Sequence, residues 1–203
     1  MALGTFPDLK AAIADQLART DLSDNIDDFI RLFEAKANKI LRVRQMETIA
    51  TLTPDGNGIC TLPADYQAWR RVTVLGSPRS VLEWLGPDYA DYAYPHGNGG
   101  SPVGFVIIGS TLKPLPVTAS NVELVYYQTI PALSLANPTN WLLTSSPDLY
   151  YYGAMVEACH FLQDDGRLVV FGELYRNALE TLRDADRGAR WGRAGARLMQ
   201  ATP

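Results

Sequence analysis

Apolar residues at Phe6, Leu9, Ile13 and Leu17 recur at spacings of three and four, which predicts an amphipathic helix. Pro7 falls in its first turn, where a missing N–H is harmless. A break at Arg19-Thr20-Asp21 follows, and Ser23 is the expected N-cap of a second helix. Asp24, Asp27 and Asp28 open that helix, Ile26, Phe29, Ile30, Phe33, Ala37, Ile40 and Leu41 form one stripe, and Lys36, Lys39, Arg42 and Arg44 come late. That order of charge complements the helix dipole.

From about Thr48 to Ile130 the period shortens. Ile49 to Thr53, Ile59 to Leu62, Trp69 to Leu75, Val81 to Trp84, Val103 to Ile108, Thr111 to Leu115 and Val122 to Ile130 are runs of strand length, separated by Gly and Pro. Pro54-Asp55-Gly56-Asn57-Gly58 is a turn cluster, and Gly109-Ser110 is a hairpin turn with glycine first. The pattern predicts an antiparallel sheet, sandwich or small barrel. Tyr94 to Pro102 is too glycine-rich for a packed element and is expected as an exposed tip or arm.

Helical spacing returns at the end. Pro131 to Pro147 is a long irregular connection with a turn at Asn137 to Asn140 and an apolar anchor at Trp141-Leu142-Leu143. Ser146-Pro147-Asp148 supplies an N-cap, a first-turn proline and an early acid. The helix from Pro147 to about Asp164 is apolar or aromatic on nearly every side, so more than one face needs cover. A last helix begins near Gly166 with Leu168, Phe171, Leu174, Tyr175, Ala178 and Leu182 on one face. Beyond Arg187 the pattern stops in a Gly/Ala-rich stretch with no acid after Asp186. The expected architecture is α+β. A helical bundle of two N-terminal and two C-terminal helices (1–47 and 131–186) carries an inserted antiparallel β-rich module (48–130) and a flexible C-terminal basic arm (187–203).

At 203 residues the chain can bury a substantial core, and 47% hydrophobic with 20% charged residues is an ordinary globular mix. The net charge of -4 argues against a protein that coats nucleic acid by bulk charge. No apolar run reaches the ~18–20 residues of a membrane span. Met1 to Lys10 lacks the basic-then-apolar pattern of a secretory signal. Two cysteines, Cys60 and Cys159, are too few for a disulfide framework or a thiolate zinc site. A soluble protein of a reducing compartment is expected, with no cofactor and no metal.

Candidate chemistry is sparse. Cys159 and His160 are adjacent on a predicted helix and point about 100° apart, so they do not form a nucleophile–base pair. Cys60 with His96 of the glycine-rich loop is the remaining enzymatic option, a hydrolase or lyase. Asp24, Asp27 and Asp28 suit helix-capping duty, and Asp55 to Gly58 is a turn that lacks the closing acid of a calcium loop. Tyr126-Tyr127 and Tyr150-Tyr151-Tyr152 have few interleaved cations, which favours core or interface over base stacking. Arg187, Arg190, Arg193 and Arg197 with Trp191, Leu198 and Met199 read as an arm that orders against a partner, or as a weak nucleic-acid contact.

The stretch from Asp21 to Glu47 (DLSDNIDDFIRLFEAKANKILRVRQME) resembles the opening of head-to-tail adaptor (connector) proteins of tailed bacteriophages. Leu62-Pro63-Ala64-Asp65-Tyr66, Tyr126 to Leu133, and Asn137 to Leu143 running into Pro147-Asp148-Leu149-Tyr150 extend the resemblance from about Asp8 to Leu182. It implies a non-enzymatic virion protein, made in the host cytoplasm and seated at the neck. The implied assembly is a homo-oligomeric, typically dodecameric ring under the portal protein, which extends the channel that DNA crosses without specific binding. It further implies a β module facing tail or nozzle proteins and a C-terminal arm docked in the portal. On this reading the portal-binding arm comprises Arg187, Arg190, Trp191, Arg193, Arg197, Leu198 and Met199. The ring interface comprises Tyr150, Tyr151 and Met155.

Overall fold

The computed structural model describes residues 3–19, 21–95 and 100–190 in full and the backbone of Trp191. Within these residues the chain is α+β, with six α-helices and a seven-stranded sheet. Met46–Thr129 forms one compact unit, and the described residues before and after it form a second. His96 of the enzymatic reading, and Arg193, Arg197, Leu198 and Met199 of the arm, lie outside the described residues.

In chain order the helical unit opens with α1 (Phe6–Leu17) and α2 (Asn25–Ile40). Thr5 caps α1: its hydroxyl accepts the Asp8 N–H. Ser23 does not cap α2. Asp24 stands at that position in helical conformation and makes no side-chain cap bond, so the tight turn before α2, and no hydroxyl, sets its start. The helix stops at Ile40, where Leu41 turns extended and buries completely.

The β unit contains β1 (Glu47–Leu52), β2 (Cys60–Thr61), β3 (Tyr66–Val74), β4 (Ser80–Trp84), α3 (Pro87–Ala93), β5 (Gly104–Ile108), β6 (Thr111–Leu115) and β7 (Val122–Gln128). Their order in the sheet is β1-β7-β3-β4-β5-β6-β2. Each run predicted as a strand contributes one. The hairpin β5–β6 turns on Gly109, whose φ of 59° is available to glycine at little cost. One pairing departs from the antiparallel expectation: β4 and β5 run parallel, because the connection through α3 brings the chain back before it re-enters the sheet. Alternation on β7 sends Val122, Leu124 and Tyr126 into the core, where they meet Val72, Leu82 and Phe105.

The helical unit closes with α4 (Trp141–Ser145), α5 (Pro147–Phe161) and α6 (Asp165–Trp191). Asn140 caps α4 by accepting the Leu143 N–H at 2.8 Å. Ser146 makes no cap bond for α5. Asp164 fixes the start of α6, its carboxylate accepting the Arg167 N–H at 3.1 Å. At 27 residues α6 is about 40 Å long. It continues through Arg187 and Arg190, past the point where the arm was expected to begin. Gly188 does not stop it: Ala189 is a strong helix former, and Asp186 and Arg190 pair one turn apart at 2.6 Å.

Candidate assembly surfaces

Helix α5 is the axis of the helical unit, and α1, α2, α4 and α6 of the same chain all pack on it. Tyr150 and Met155 are both fully buried there. This corrects the assignment of those two side chains to a surface between copies: an all-apolar helix needs cover, and the chain itself supplies it. Tyr151 is half-buried, stacked edge-on with Tyr152 and Phe171, with its hydroxyl 3.3 Å from Gln16 Oε1.

Around Tyr150 lies a buried polar network that the sequence pattern does not announce. Glu34 on α2 accepts the Leu133 N–H at 2.9 Å and the Tyr150 hydroxyl at 3.0 Å. Asn140 donates to that hydroxyl at 2.6 Å and to the Pro131 carbonyl at 2.7 Å. Burial pushes both the Glu34 carboxyl and the Tyr150 hydroxyl above their ordinary values. The network ties the irregular 131–140 connection to α2 and α5, so its role is positional. A glutamate at an i+4 step from Ile30 on an otherwise apolar face was the available signal.

Exposed apolar side chains of the helical unit include Leu32, Leu135 and, on either side of the α5–α6 connection, Phe161, Val169 and Val170. Phe161, Val169 and Val170 are 56%, 63% and 55% exposed. Phe161 leans on Phe29 with ring centroids 5.5 Å apart, which holds it at the surface. Val169 and Val170 lie off the buried face of α6 that carries Phe171, Ala178 and Leu182.

The far end of α6 meets the end of α2. Asp186 accepts the Arg44 N–H at 2.7 Å and Arg190 Nε at 2.6 Å. These contacts hold its carboxyl below the ordinary carboxylate range against the opposing effect of burial. Arg187 is exposed and stands 3.4 Å from Asp184. Of the predicted arm, then, Arg187, Arg190 and Trp191 belong to a helix.

Cys60 has no exposure, and burial, helped by the Asp55 charge, pushes its thiol up to about 11. It is therefore a core thiol at neutral pH and a poor nucleophile. Cys159 is likewise buried, its thiol raised by desolvation. The Asp55 carboxylate accepts N–H groups of Asn57 and Ile59, both at 2.8 Å, so it closes its own turn. No helix among the described residues is long and apolar enough to cross a membrane.

The buried and capping polar groups of Glu34, Asn140 and Tyr150 are engaged by the fold itself, and bulky apolar side chains such as Phe161, Val169 and Val170 stand exposed. A family model described as SU10 adaptor protein matches residues 4–198, and the chain belongs to that family. It is a phage adaptor, a structural component of the virion, as the resemblance at Asp21 to Glu47 implies. A comparison with curated proteins gives no match.

Proposed function

We propose that copies of this adaptor close into a ring at the neck of the virion, between the portal protein and the tail, and extend the channel for DNA. Beside family membership, the observation that supports the ring best is the exposure of Phe161, Val169 and Val170 on either side of the α5–α6 connection. Apolar surface of this kind, packed on a different surface of the next copy, makes a heterologous contact that closes when the rotation permits. Tyr151 remains on the lateral surface in this reading, and the dodecameric number follows the family resemblance. The acidic balance of the chain, -4, suits a lumen through which phosphates slide. In the β unit Trp69, Trp84 and Tyr92 are exposed and available to tail or nozzle proteins. The arm that docks in the portal is the chain beyond Trp191, with Arg193, Arg197, Leu198 and Met199.

Two measurements test this. Light scattering of the purified chain, alone and mixed with portal rings, should show a multi-copy complex on the portal. Val169→Asp with Val170→Asp should abolish it and leave thermal unfolding nearly unchanged, because exposed positions contribute only about 0.5 kcal/mol each. For the arm, a chain ending at Trp191 should fold and yet no longer co-sediment with portal rings. Cutting earlier, before Arg187, would also remove Arg190 from Asp186 and mix a folding defect into the result. Undiminished co-sedimentation of the chain ending at Trp191 would remove the arm from the docking mechanism.

A further inference from the structure

Between the end of α2 and the last turns of α6 runs an open groove of about 300 Å³, lined by Ile40, Arg42, Val43, Arg183, Asp186, Arg187 and Arg190. Four of these seven residues are arginines and one is an acid. That acid is already engaged by the Arg44 N–H and Arg190. Two of the arginines are fixed in place by the carbonyls that α2 leaves unpaired at its end. Arg183 donates to the Ile40 carbonyl at 3.1 Å, and Arg42 donates to the Asn38 carbonyl at 2.8 Å and to that of Leu41. A guanidinium carries five N–H donors, so these bonds orient Arg42 and Arg183 and leave donors over for a carboxylate. Little side-chain freedom is then left to lose on binding.

The geometry points to this groove as a docking site for an acidic polypeptide segment of another virion protein, one that intersperses carboxylates with apolar residues. Charge complementarity supplies the sign of the partner. Ile40, 40% exposed on one wall, and Val43 supply the apolar component. Phosphates of a duplex gain nothing from an apolar wall, whereas a Leu-bearing peptide buries it. The chain's own end is a poor occupant, since from Arg187 to Pro203 it holds four arginines and no acid. The inference needs neither the ring nor the arm.

The test is fluorescence anisotropy with the full chain and a short labelled peptide of alternating Glu and Leu. Binding should appear at low salt and fade as salt rises. Arg187→Glu, at an exposed position that leaves the Asp186 contacts in place, should weaken it about tenfold or more. An unchanged melting curve would show that the variant is folded. The chain ending at Trp191 should still bind the peptide, so a failed arm mechanism and a failed groove give different results. Equal affinity of Arg187→Glu would overturn the assignment. So would equal binding of a peptide with Lys in place of Glu, or tighter binding of a short DNA duplex.

Discussion

Gly153→Ala should destabilise the helical unit by about 2–3 kcal/mol, although alanine in a helix interior ordinarily stabilises by about 0.5–1 kcal/mol over glycine. The sign reverses because of what lies opposite. A Cβ on residue 153 would fall inside the contact distance of the Phe33 ring. Phe33 has no room to retreat: it is 1% exposed and wedged edge-on between Tyr150, at a centroid distance of 4.8 Å, and Tyr175, at 6.2 Å. Either α2 moves away from α5 or an aromatic leaves its rotamer, and both disturb a close-packed interior. Thermal unfolding should show a fall of about 5–10 °C. Phe33→Leu in the same chain should recover part of the loss, since the two sites touch and their effects are not additive. A Gly153→Ala chain as stable as the parent would show that α2 and α5 are not packed as described.

The second large effect belongs to Glu34. Removing it by Glu34→Ala strips the Leu133 N–H and the Tyr150 hydroxyl of their shared acceptor in a buried site, at a cost of about 3 kcal/mol. Glu34→Gln should stay within about 1 kcal/mol of the parent at neutral pH, because an amide oxygen accepts both bonds and carries no charge to desolvate. The two variants separate the acceptor, which stabilises, from the charge, which costs. The pH dependence has a definite sign. Burial raises the folded-state value of Glu34 above 4.5, opposed by its hydrogen bonds and the Arg31 charge. The folded chain therefore holds that proton more tightly than the unfolded chain. The corresponding stability is present below about 4.5 and is lost as pH rises through the raised value. Chemical denaturation of the parent and of Glu34→Gln across this range should show that slope only in the parent. A slope retained in Glu34→Gln would assign it to another group.

Much of the fold was legible because the signals are local. Ile26, Phe29, Ile30 and Phe33 repeat at helical spacing and bury on α2. The seven strand runs become seven strands, and Gly109 makes its turn. Capping was less legible: Thr5, Asn140 and Asp164 cap α1, α4 and α6, whereas α2 and α5, where Ser23 and Ser146 were expected, carry no side-chain cap bond. Side-chain oxygens of several kinds can accept an N–H, and the entry angle of the chain, set by distant packing, selects among them. Helix α3 has ordinary start signals in Pro87 and Asp88, but at seven residues with only Ala90 buried it is too short to show an apolar period.

The candidate surfaces divide along the same line. The order and polarity of charge on α2, the family signature and the division into helical and β segments follow from near-neighbour spacing, and the sequence by itself determined them. Which face of α5 remains for a partner did not follow. Periodicity reports that a face is apolar, whereas cover depends on residues more than a hundred positions away. Only the tertiary structure placed α1, α2, α4 and α6 around α5 and so left Phe161, Val169 and Val170, rather than Tyr150 and Met155, among the exposed apolar side chains. It alone brought Arg42 beside Arg183 and Arg187, some 140 positions later, because long-range contacts are chosen by packing and charge together and leave no fixed spacing along the chain.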